Sequence, residues 1–207
     1  LVPERLLRLI AEERISFITQ VPAIWDRLPQ LPAWPEADLS SLRIALTGGA
    51  PVPVSLLQQF REKNVRIRQV YGATEIGSMG CYPPEALSME RPETVGYPQA
   101  TLQMRIVRDG KDCAIGEVGE LWFKGPQVMK GYWRAPEATA AAFDSGYYKT
   151  GDLGKMHEDG SISIVDRMKN MIISGGVNIY PAEIERALAS IPAILESGVF
   201  GVPDEKW

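Results

Sequence analysis

A strand–helix–strand pattern in the first third of the chain constrains the fold more than any other feature. The apolar runs at 42–46 and 65–70 predict two strands, and the segment 53–63 predicts a helix between them. Strands that are joined through a helix lie parallel, with a right-handed crossover. Because ligands bind outside the carboxyl ends of such strands, the residues that follow each strand are candidates for a site.

The motif "YGATE" at 71–75 follows the second strand. Gly72 allows a tight turn and the close approach of a ligand. Tyr71 offers a flat ring that can cover an aromatic base, and Thr74 offers a hydroxyl donor for a phosphate oxygen. Glu75 offers a carboxylate of the kind that holds Mg²⁺. A strand-to-loop turn with polar surface residues explains the same five letters, so both interpretations stay open for this motif alone.

The motif "LTGGAP" at 46–51 ends the neighbouring strand. Gly48 and Gly49 would let the backbone come close to a ligand. A plain turn before a helix fits these letters equally well. Both motifs therefore lie at carboxyl ends of one predicted parallel sheet.

Composition argues against several classes of function. The chain of 207 residues has a formal net charge of −4 and a pI near 5.2, so we expect no nucleic-acid partner. The single histidine argues against a histidine-based triad or a histidine-rich metal site. The two cysteines form no CxxC pair and fit a reducing compartment, which we take to be the cytoplasm. No apolar run approaches the roughly 20 residues that span a bilayer.

The pattern changes after about residue 95. Short stretches of alternating polar and apolar residues predict strands at 103–107, 119–124 and 161–165, with Asp-Gly turn signals beside them. Short alternating stretches with turns between them are typical of antiparallel strands. We expect a small antiparallel subdomain that resembles a barrel.

A third pattern begins after Arg167. It predicts a strand at 170–173, a helix at 181–190 and a strand at 198–202, which is the start of an α+β unit. The expected fold class is therefore α/β. Its three parts are a βαβ parallel-sheet subdomain at 1–95, the barrel-like subdomain at 96–166, and a hinge with the truncated start of a small C-terminal domain at 167–207.

Two later motifs also carry polar residues. "YKTGDLG" at 148–154 places Asp152 in a Thr-Gly-Asp turn, where a carboxylate can accept hydrogen bonds from both hydroxyls of a ribose. An Asx turn explains the same aspartate. "VDRMKNMIISGGVNIYPAEIE" at 165–185 contains Arg167, whose charged fork could hold hydroxyls or phosphate, and a flexible Gly175-Gly176 turn.

The segment "GELWFKGPQVMKGYW" at 119–133 predicts a strand, a turn and a second strand. Trp122 and Phe123 fall on alternate faces of the first strand, as core residues of a sheet do. We interpret this segment as structural.

These motifs, in this order, resemble those of the adenylate-forming superfamily, which includes acyl- and aryl-CoA synthetases, peptide-synthetase adenylation domains and firefly luciferase. The matching segments are "GGAP", "YGATE", "GELWFKGPQVMKGYW", "YKTGD" and "DRMKNMIISGGVNIYPAEIE", between residues 46 and 185. Each is weak alone, but five in the family's order form a strong signal. The wording of the last segment resembles stand-alone fatty-, short-chain or aryl-acyl-CoA ligases more than peptide-synthetase domains.

The resemblance implies a role for each candidate residue. Tyr71 would cover adenine, Thr74 would contact the phosphate of the adenylate, and Glu75 would help to hold Mg²⁺. Asp152 would bind the ribose hydroxyls, and Arg167 would contact the ribose or a phosphate. The nucleotide and acyl pocket would also be lined by Gly48, Gly49, Ala50 and Gly72.

The reaction that the resemblance implies has two steps. A carboxylic acid attacks the α-phosphate of ATP and releases pyrophosphate, and the acyl-adenylate then reacts with a thiol, usually that of coenzyme A. Between the steps the small domain of family members rotates about the fourth residue of "DRMK", here Lys169. The glycine loop with Gly175 and Gly176 would then enter the site, and Trp207 lies where related CoA ligases have an aromatic residue near the CoA adenine.

The resemblance also implies two elements that this sequence does not contain. A Ser/Thr/Gly-rich loop that cradles the ATP phosphates would precede residue 1, and a catalytic lysine would follow Trp207. We therefore expect a fragment of a larger protein that is inactive by itself. A partial C-terminal sheet would leave apolar surface exposed.

Two alternatives to a CoA ligase stay open. An adenylation domain that loads a carrier protein would use the same residues, with a phosphopantetheinyl thiol in place of CoA. A non-catalytic nucleotide-binding module would keep the fold without turnover, although the presence of Thr74, Glu75, Asp152 and Arg167 argues against it.

Overall fold

The parallel sheet predicted from the strand–helix–strand pattern lies in the first of two units of the chain. The structure, a computed structural model, describes residues 2–49, 53–189, 191, 193–194 and 196–204. Unit 1 comprises Leu1–Tyr71 with Tyr82–Gly96, and unit 2 comprises Gly72–Cys81 with Tyr97–Trp207. The three-part division at residues 95 and 166 stays a prediction.

Unit 1 is built from short helices around three parallel strands. Strands β1, β2 and β3 pair in this order, so the predicted βαβ unit is confirmed. The elements are α1 (Pro3–Glu12), β1 (Phe17–Gln20), α2 (Pro22–Arg27), a short 3₁₀ helix (Leu28–Gln30), β2 (Ile44–Thr47), α3 (Val54–Glu62), β3 (Ile67–Gln69) and α4 (Glu85–Glu90). A two-residue strand, β4 (Cys81–Tyr82), lies where the chain passes between the units.

Aromatic packing holds the helices of unit 1 against the sheet. Trp25 on α2 and Phe60 on α3 are fully buried and meet edge to face, with ring centroids 5.1 Å apart. Such a pair contributes about 0.5–1.5 kcal/mol beyond the area that it buries. The indole N–H of Trp25 also donates to the carbonyl of Leu46 at 3.0 Å. This contact fixes α2 beside the carboxyl end of β2, where the first glycine motif begins.

Unit 2 is built around an antiparallel sheet. The short 3₁₀ helix Thr74–Ile76 precedes it in the chain. The further elements are β5 (Tyr97–Pro98), β6 (Gln103–Arg108), β7 (Lys111–Asp112), β8 (Gly119–Lys124), α5 (Pro136–Ala142), β9 (Phe143–Asp144), β10 (Tyr147–Met156), β11 (Ile162–Arg167), a 3₁₀ helix (Met168–Asn170), β12 (Ile172–Ser174), β13 (Val177–Ile179) and α6 (Pro181–Leu188).

The strand order of the large sheet is β11-β10-β8-β6-β7, and β9 pairs with β10. All of these pairs are antiparallel, which confirms the predicted antiparallel strands. In the described part of the chain the sheet has edge strands at β11 and β7, so it is open where we expected a barrel-like shape. Leu121 and Phe123 on β8 and Ile162 on β11 are fully buried and form its core.

Two strands predicted from the sequence are not formed. Residues 125–133 make turns instead of a second strand, and the side-chain amide of Gln127 in these turns donates to the carbonyls of Ile76 and Met79. Residues 198–202 are described and contain no strand. A strand needs a paired neighbour to satisfy its backbone, and no strand of the described residues pairs with this segment.

The C-terminal part of unit 2 is a hairpin, β12 with β13, followed by α6. Its apolar side chains are exposed: Ile173 is 64% exposed, Val177 63% and Phe200 78%. The expectation of exposed apolar surface in this part is confirmed. None of the helices among the described residues combines the length and apolar character that a bilayer-spanning segment requires.

Candidate functional site

The carboxyl edge of the parallel sheet brings the first glycine motif next to the end of β3. The amide of Val70 donates to the carbonyl of Thr47 at 2.8 Å. A Cβ placed on Gly48 would come within 3.0 Å of the Val70 carbonyl oxygen, so this position leaves little room for a side chain. Tyr71 follows directly, and its side chain is buried. Ala50, which we predicted to line the same pocket, lies outside the described residues.

The loop at 72–80 carries the candidate residues Thr74 and Glu75, and contacts within unit 2 hold its backbone in place. Gly72 must be glycine, because a Cβ there would overlap the carbonyl of Ser78. The amide of Met129 donates to the carbonyl of Glu75 at 2.7 Å. Thr74 is exposed at the start of the short 3₁₀ helix, while Glu75 is half-buried. The backbone that carries both polar side chains is therefore fixed.

The carboxylate of Glu75 is held by a tyrosine pair. The hydroxyl of Tyr132 donates to Oε1 of Glu75 at 3.1 Å, and it lies 3.4 Å from the hydroxyl of Tyr148. Burial raises the pKa of Tyr148, and its hydrogen bond with Tyr132 and the nearby charge of Glu75 act in the same direction. Tyr148 therefore stays protonated. No described residue donates to Oε2 of Glu75, so this oxygen can take a further ligand.

Asp152 and Arg167 face each other across β10 and β11. They are direct register partners, and Nε of Arg167 lies 3.5 Å from Oδ1 of Asp152. Asp152 is half-buried and Arg167 is exposed. The structure thus brings together the two residues that we predicted for ribose and phosphate contacts.

Asp152 lies in a bulge of β10, where the sequence predicts a turn. Lys149 pairs with Trp122 and Leu153 pairs with Glu120, so residues 150–152 face Leu121 alone. The hydroxyl of Thr150 donates to the Leu121 carbonyl at 2.8 Å and accepts from the Asp152 amide at 3.0 Å. The predicted Thr-Gly-Asp turn is therefore an interruption within a long strand.

Lys169, the predicted hinge residue, is exposed on the 3₁₀ helix that follows β11. The preceding Asp166 is buried and accepts hydrogen bonds from the amide of Arg167 at 2.6 Å and the side chain of Asn170 at 3.2 Å. Its second oxygen accepts from the amide of Ala182 at 2.8 Å. One carboxylate thus connects both sides of the predicted hinge to the start of α6.

The hairpin turn between β12 and β13 contains both glycines of the predicted flexible turn. Gly175 has φ +57° and Gly176 has φ +81°, both in the left-handed region that favours glycine. A Cβ on Gly176 would meet nothing within 4 Å. Trp207, which we predicted near the CoA adenine, lies outside the described residues.

Sequence reasoning missed three side chains near the candidate residues. Tyr132 touches Glu75, Tyr148 lies against Tyr132, and Glu120 accepts from the amide of Gly151 beside Asp152. Glu120 and Tyr132 belong to the segment that we interpreted as purely structural, and that interpretation was incomplete. The sequence does place a carboxylate, Glu120, inside an apolar strand. Since glutamate is seldom buried without a partner, this position predicts that Glu120 accepts hydrogen bonds from other parts of the chain. The contact from Tyr132 to Glu75 spans 57 positions, and no local pattern predicts it.

The described residues contain no group of three or more His, Cys, Asp or Glu side chains that could hold a metal ion. A protein-only cage for a cation is therefore not formed in the described ranges. A single carboxylate with one open oxygen, as at Glu75, suits an ion that brings most of its ligands with it. Magnesium bound to the phosphates of a nucleotide is such an ion.

A family model described as "AMP-binding enzyme" matches residues 1–133 of the chain. A feruloyl-CoA synthase from an Amycolatopsis species is 39% identical over 206 residues, which cover 99% of this chain and 42% of that protein. A long-chain-fatty-acid–CoA ligase from Mycobacterium tuberculosis is 40% identical over 201 residues, which cover 96% of this chain and 40% of that protein. The chain thus spans about two fifths of the length of these relatives.

A solved structure supports the same relationship. The o-succinylbenzoate CoA synthetase of Bacillus subtilis, in complex with its acyl-adenylate intermediate, superimposes with a TM-score of 0.91 at 38% sequence identity. The match covers 100% of this chain and 42% of that chain. The same enzyme has also been solved with ATP and a magnesium ion, and that structure gives a TM-score of 0.90.

Proposed function

Because the chain belongs to the AMP-binding enzyme family, we propose that the protein activates a carboxylic acid with ATP and transfers the acyl group to the thiol of coenzyme A. The carboxylate of Glu75, held by Tyr132 on one oxygen and open on the other, is the observation that carries this proposal. The named relatives are CoA synthetases and CoA ligases, which supports CoA as the acceptor.

The Asp152–Arg167 pair is the proposed site of the nucleotide's ribose. A carboxylate has only acceptors and ribose hydroxyls have donors, so Asp152 can accept from them. Nε of Arg167 lies 3.5 Å from Oδ1 of Asp152, and its exposed guanidinium has further donors for a hydroxyl or a phosphate. The adenine roles of Tyr71, Gly48 and Gly49 stay predictions.

Thr74 and Glu75 are the proposed contacts to the phosphate end of the nucleotide. Glu75 would hold Mg²⁺ through the oxygen that Tyr132 does not occupy, and Thr74 would donate its exposed hydroxyl to a phosphate oxygen. When bound, the ion supplies neutralisation of the charge that builds on the phosphates as pyrophosphate leaves. Holding the acid and the α-phosphate in line is the second contribution, and such alignment is worth about 7–11 kcal/mol.

The acyl transfer to CoA is proposed to use the C-terminal part of unit 2. Lys169 lies between β11 and the C-terminal hairpin, where a few residues that absorb backbone change can act as a hinge. A Cβ on Gly176 would meet nothing within 4 Å, and we propose that the Gly175-Gly176 turn enters the site after a rotation. We retain Trp207 as the proposed contact to the CoA adenine.

The test is acid-dependent release of pyrophosphate by the complete protein that contains this chain. The acid panel holds aromatic acids, succinylbenzoate and long-chain fatty acids, and each acid is assayed with and without CoA. Glu75→Ala should lower kcat by about 10²–10³-fold, as the loss of a charge-stabilising group at a reacting centre does. Thr74→Ala should lower it by about tenfold or more, because a hydrogen bond to a charged group is lost.

The matched control is Glu117→Gln, which removes a carboxylate that pairs with Arg108 at 3.2 Å elsewhere in unit 2. It should release pyrophosphate at the parent rate. Activity that requires a phosphopantetheinyl carrier in place of CoA would correct the acceptor and leave the adenylation step in place. ATP binding without pyrophosphate release from any acid would refute the proposal and identify a non-catalytic nucleotide-binding module.

A further inference from the structure

We propose that Glu120 is a positioning residue that holds the Thr150–Asp152 bulge in the conformation that presents Asp152 to the ribose. The inference rests on the proposed function, since it assigns a cause to the geometry of the proposed ribose site. Glu120 would not touch the nucleotide itself. Its effect would pass through the backbone of Gly151.

The contacts of Glu120 carry this inference. Oε1 accepts a hydrogen bond from the amide of Gly151 at 2.8 Å, and Oε2 accepts from the indole N–H of Trp122 at 2.7 Å. Trp122 is buried in β8, so it anchors the carboxylate to the centre of the sheet. The carboxylate therefore connects a rigid strand to the residue directly before Asp152.

The hydrogen bond from Gly151 to Glu120 matters because the regular pairing of β10 with β8 does not hold the backbone of the bulge. Residues 150–152 face Leu121 alone, so the ordinary pairing of β10 with β8 is interrupted there. Thr150 holds the amide of Asp152, but the amide of Gly151 points elsewhere and has Glu120 as its acceptor. Gly151 also has φ +71°, a conformation that few other residues adopt. With both amides held, the direction of the Asp152 side chain is set.

A carboxylate is the side chain that this position requires. The two partners of Glu120, an amide N–H and an indole N–H, are both donors. A carboxylate accepts at both of its oxygens, whereas a glutamine has one accepting oxygen and one donating NH₂ group. In Glu120→Gln only one of the two donors would keep an acceptor and the other would face the NH₂ group, so the link between Trp122 and Gly151 would be broken whichever way the amide turns.

The readout is discrimination between ATP and its 2′- and 3′-deoxy analogues, measured as the ratio of kcat/KM for pyrophosphate release. The parent protein should prefer ATP by about ten- to hundredfold, because the analogues lose a hydrogen bond to a charged group. Asp152→Asn should bring this ratio close to one. Glu120→Gln should lower it severalfold and raise the KM for ATP more than it lowers kcat.

A double substitution separates positioning from a loss of general stability. In Glu120→Gln with Trp122→Phe, the glutamine NH₂ no longer faces the indole donor, so its oxygen can again accept from Gly151. The discrimination ratio should recover in part, although the double variant has lost more of the core than the single variant. A general loss of stability would lower the activity with ATP and with its analogues equally. The matched control is Glu117→Gln, whose carboxylate accepts from the amide of Ala114 at 3.0 Å, and it should keep the parent ratio.

Two results would overturn the inference in different ways. A parent-like ratio in Glu120→Gln, together with a lost ratio in Asp152→Asn, would show that Asp152 reads the ribose without help from Glu120. A parent protein that uses ATP and the deoxy analogues equally would remove the ribose role of Asp152 and the inference with it. The proposed acid activation would survive both results, because it depends on pyrophosphate release from ATP.

Discussion

The bulge at Thr150–Asp152 and the hairpin turn at Ser174–Val177 both contain glycine with positive φ, yet their surroundings differ. In the bulge, side chains of two strands hold the backbone, through Thr150 and through Glu120. A Cβ would meet nothing within 4 Å at Gly151 or at Gly176, but no described side chain hydrogen-bonds the backbone of the hairpin turn. The first turn is suited to hold one geometry. The second can change its position at little energetic expense, as a loop that enters a site must.

The same difference extends to the elements that carry the two turns. Leu121, which faces the bulge, has no exposed area, whereas Ile173 beside the hairpin turn is 64% exposed. A buried strand such as β8 keeps the residues beside it in fixed positions, because a closely packed interior resists local change. The exposed side chains of the hairpin bury little apolar area, so they stabilise its position less than the buried side chains of β8 stabilise the bulge.

The largest expected effect is on stability. In the 207-residue chain, Leu121→Ala should lower the free energy of unfolding by about 2–5 kcal/mol, because it leaves a cavity in the core. Ile173→Ala should change it by less than about 0.5 kcal/mol, as surface substitutions do. Urea titration of both variants tests the comparison. Equal losses would show that the hairpin is packed as firmly as β8.

A smaller effect is expected from Gly176→Ala in the complete protein. Because the backbone at this position has φ +81°, the alanine would have to adopt the left-handed conformation, which costs about 1–2 kcal/mol for a residue other than glycine. Acyl transfer to CoA should slow by about 5–30-fold, with pyrophosphate release in the absence of CoA unchanged. Single-turnover assays of the two steps measure this.

The control for that variant is Gly198→Ala, since a Cβ at Gly198 also meets nothing within 4 Å and its φ lies outside the left-handed region. It should leave both steps at the parent rate. Equal slowing of the two steps by Gly176→Ala would contradict a role of this turn in the second step alone.

The smallest effect concerns the support of Glu75. Tyr132→Phe removes the hydrogen bond to Oε1 of Glu75, worth about 1 kcal/mol, so the half-saturating concentration of Mg²⁺ should rise by about fivefold. Titration of Mg²⁺ in the pyrophosphate assay measures this shift. Tyr147→Phe, which removes a hydroxyl that donates to Gln103 at 3.1 Å, is the matched control and should cause no shift. A parent-like Mg²⁺ dependence in Tyr132→Phe would show that Glu75 needs no such support.

Much of the fold could be predicted because its signals are local. The βαβ unit follows from strand and helix patterns within about thirty residues, and its parallel pairing follows from the connection. The strand predicted at 198–202 failed for the opposite reason. Its apolar run is local, but a strand exists only when another strand supplies its hydrogen bonds.

The amino-acid sequence by itself determined which chemical groups are available and in what order, including Glu75, Asp152 and Arg167. Only the tertiary structure decided which of them meet. Glu75 meets Tyr132 across 57 positions, and Gly151 meets Glu120 across 31 positions. The first contact depends on how the turns at 125–133 fold onto the loop at 72–80. The second depends on strand register, in which a shift of one residue turns every side chain to the opposite face. That register is set by the packing of the whole sheet.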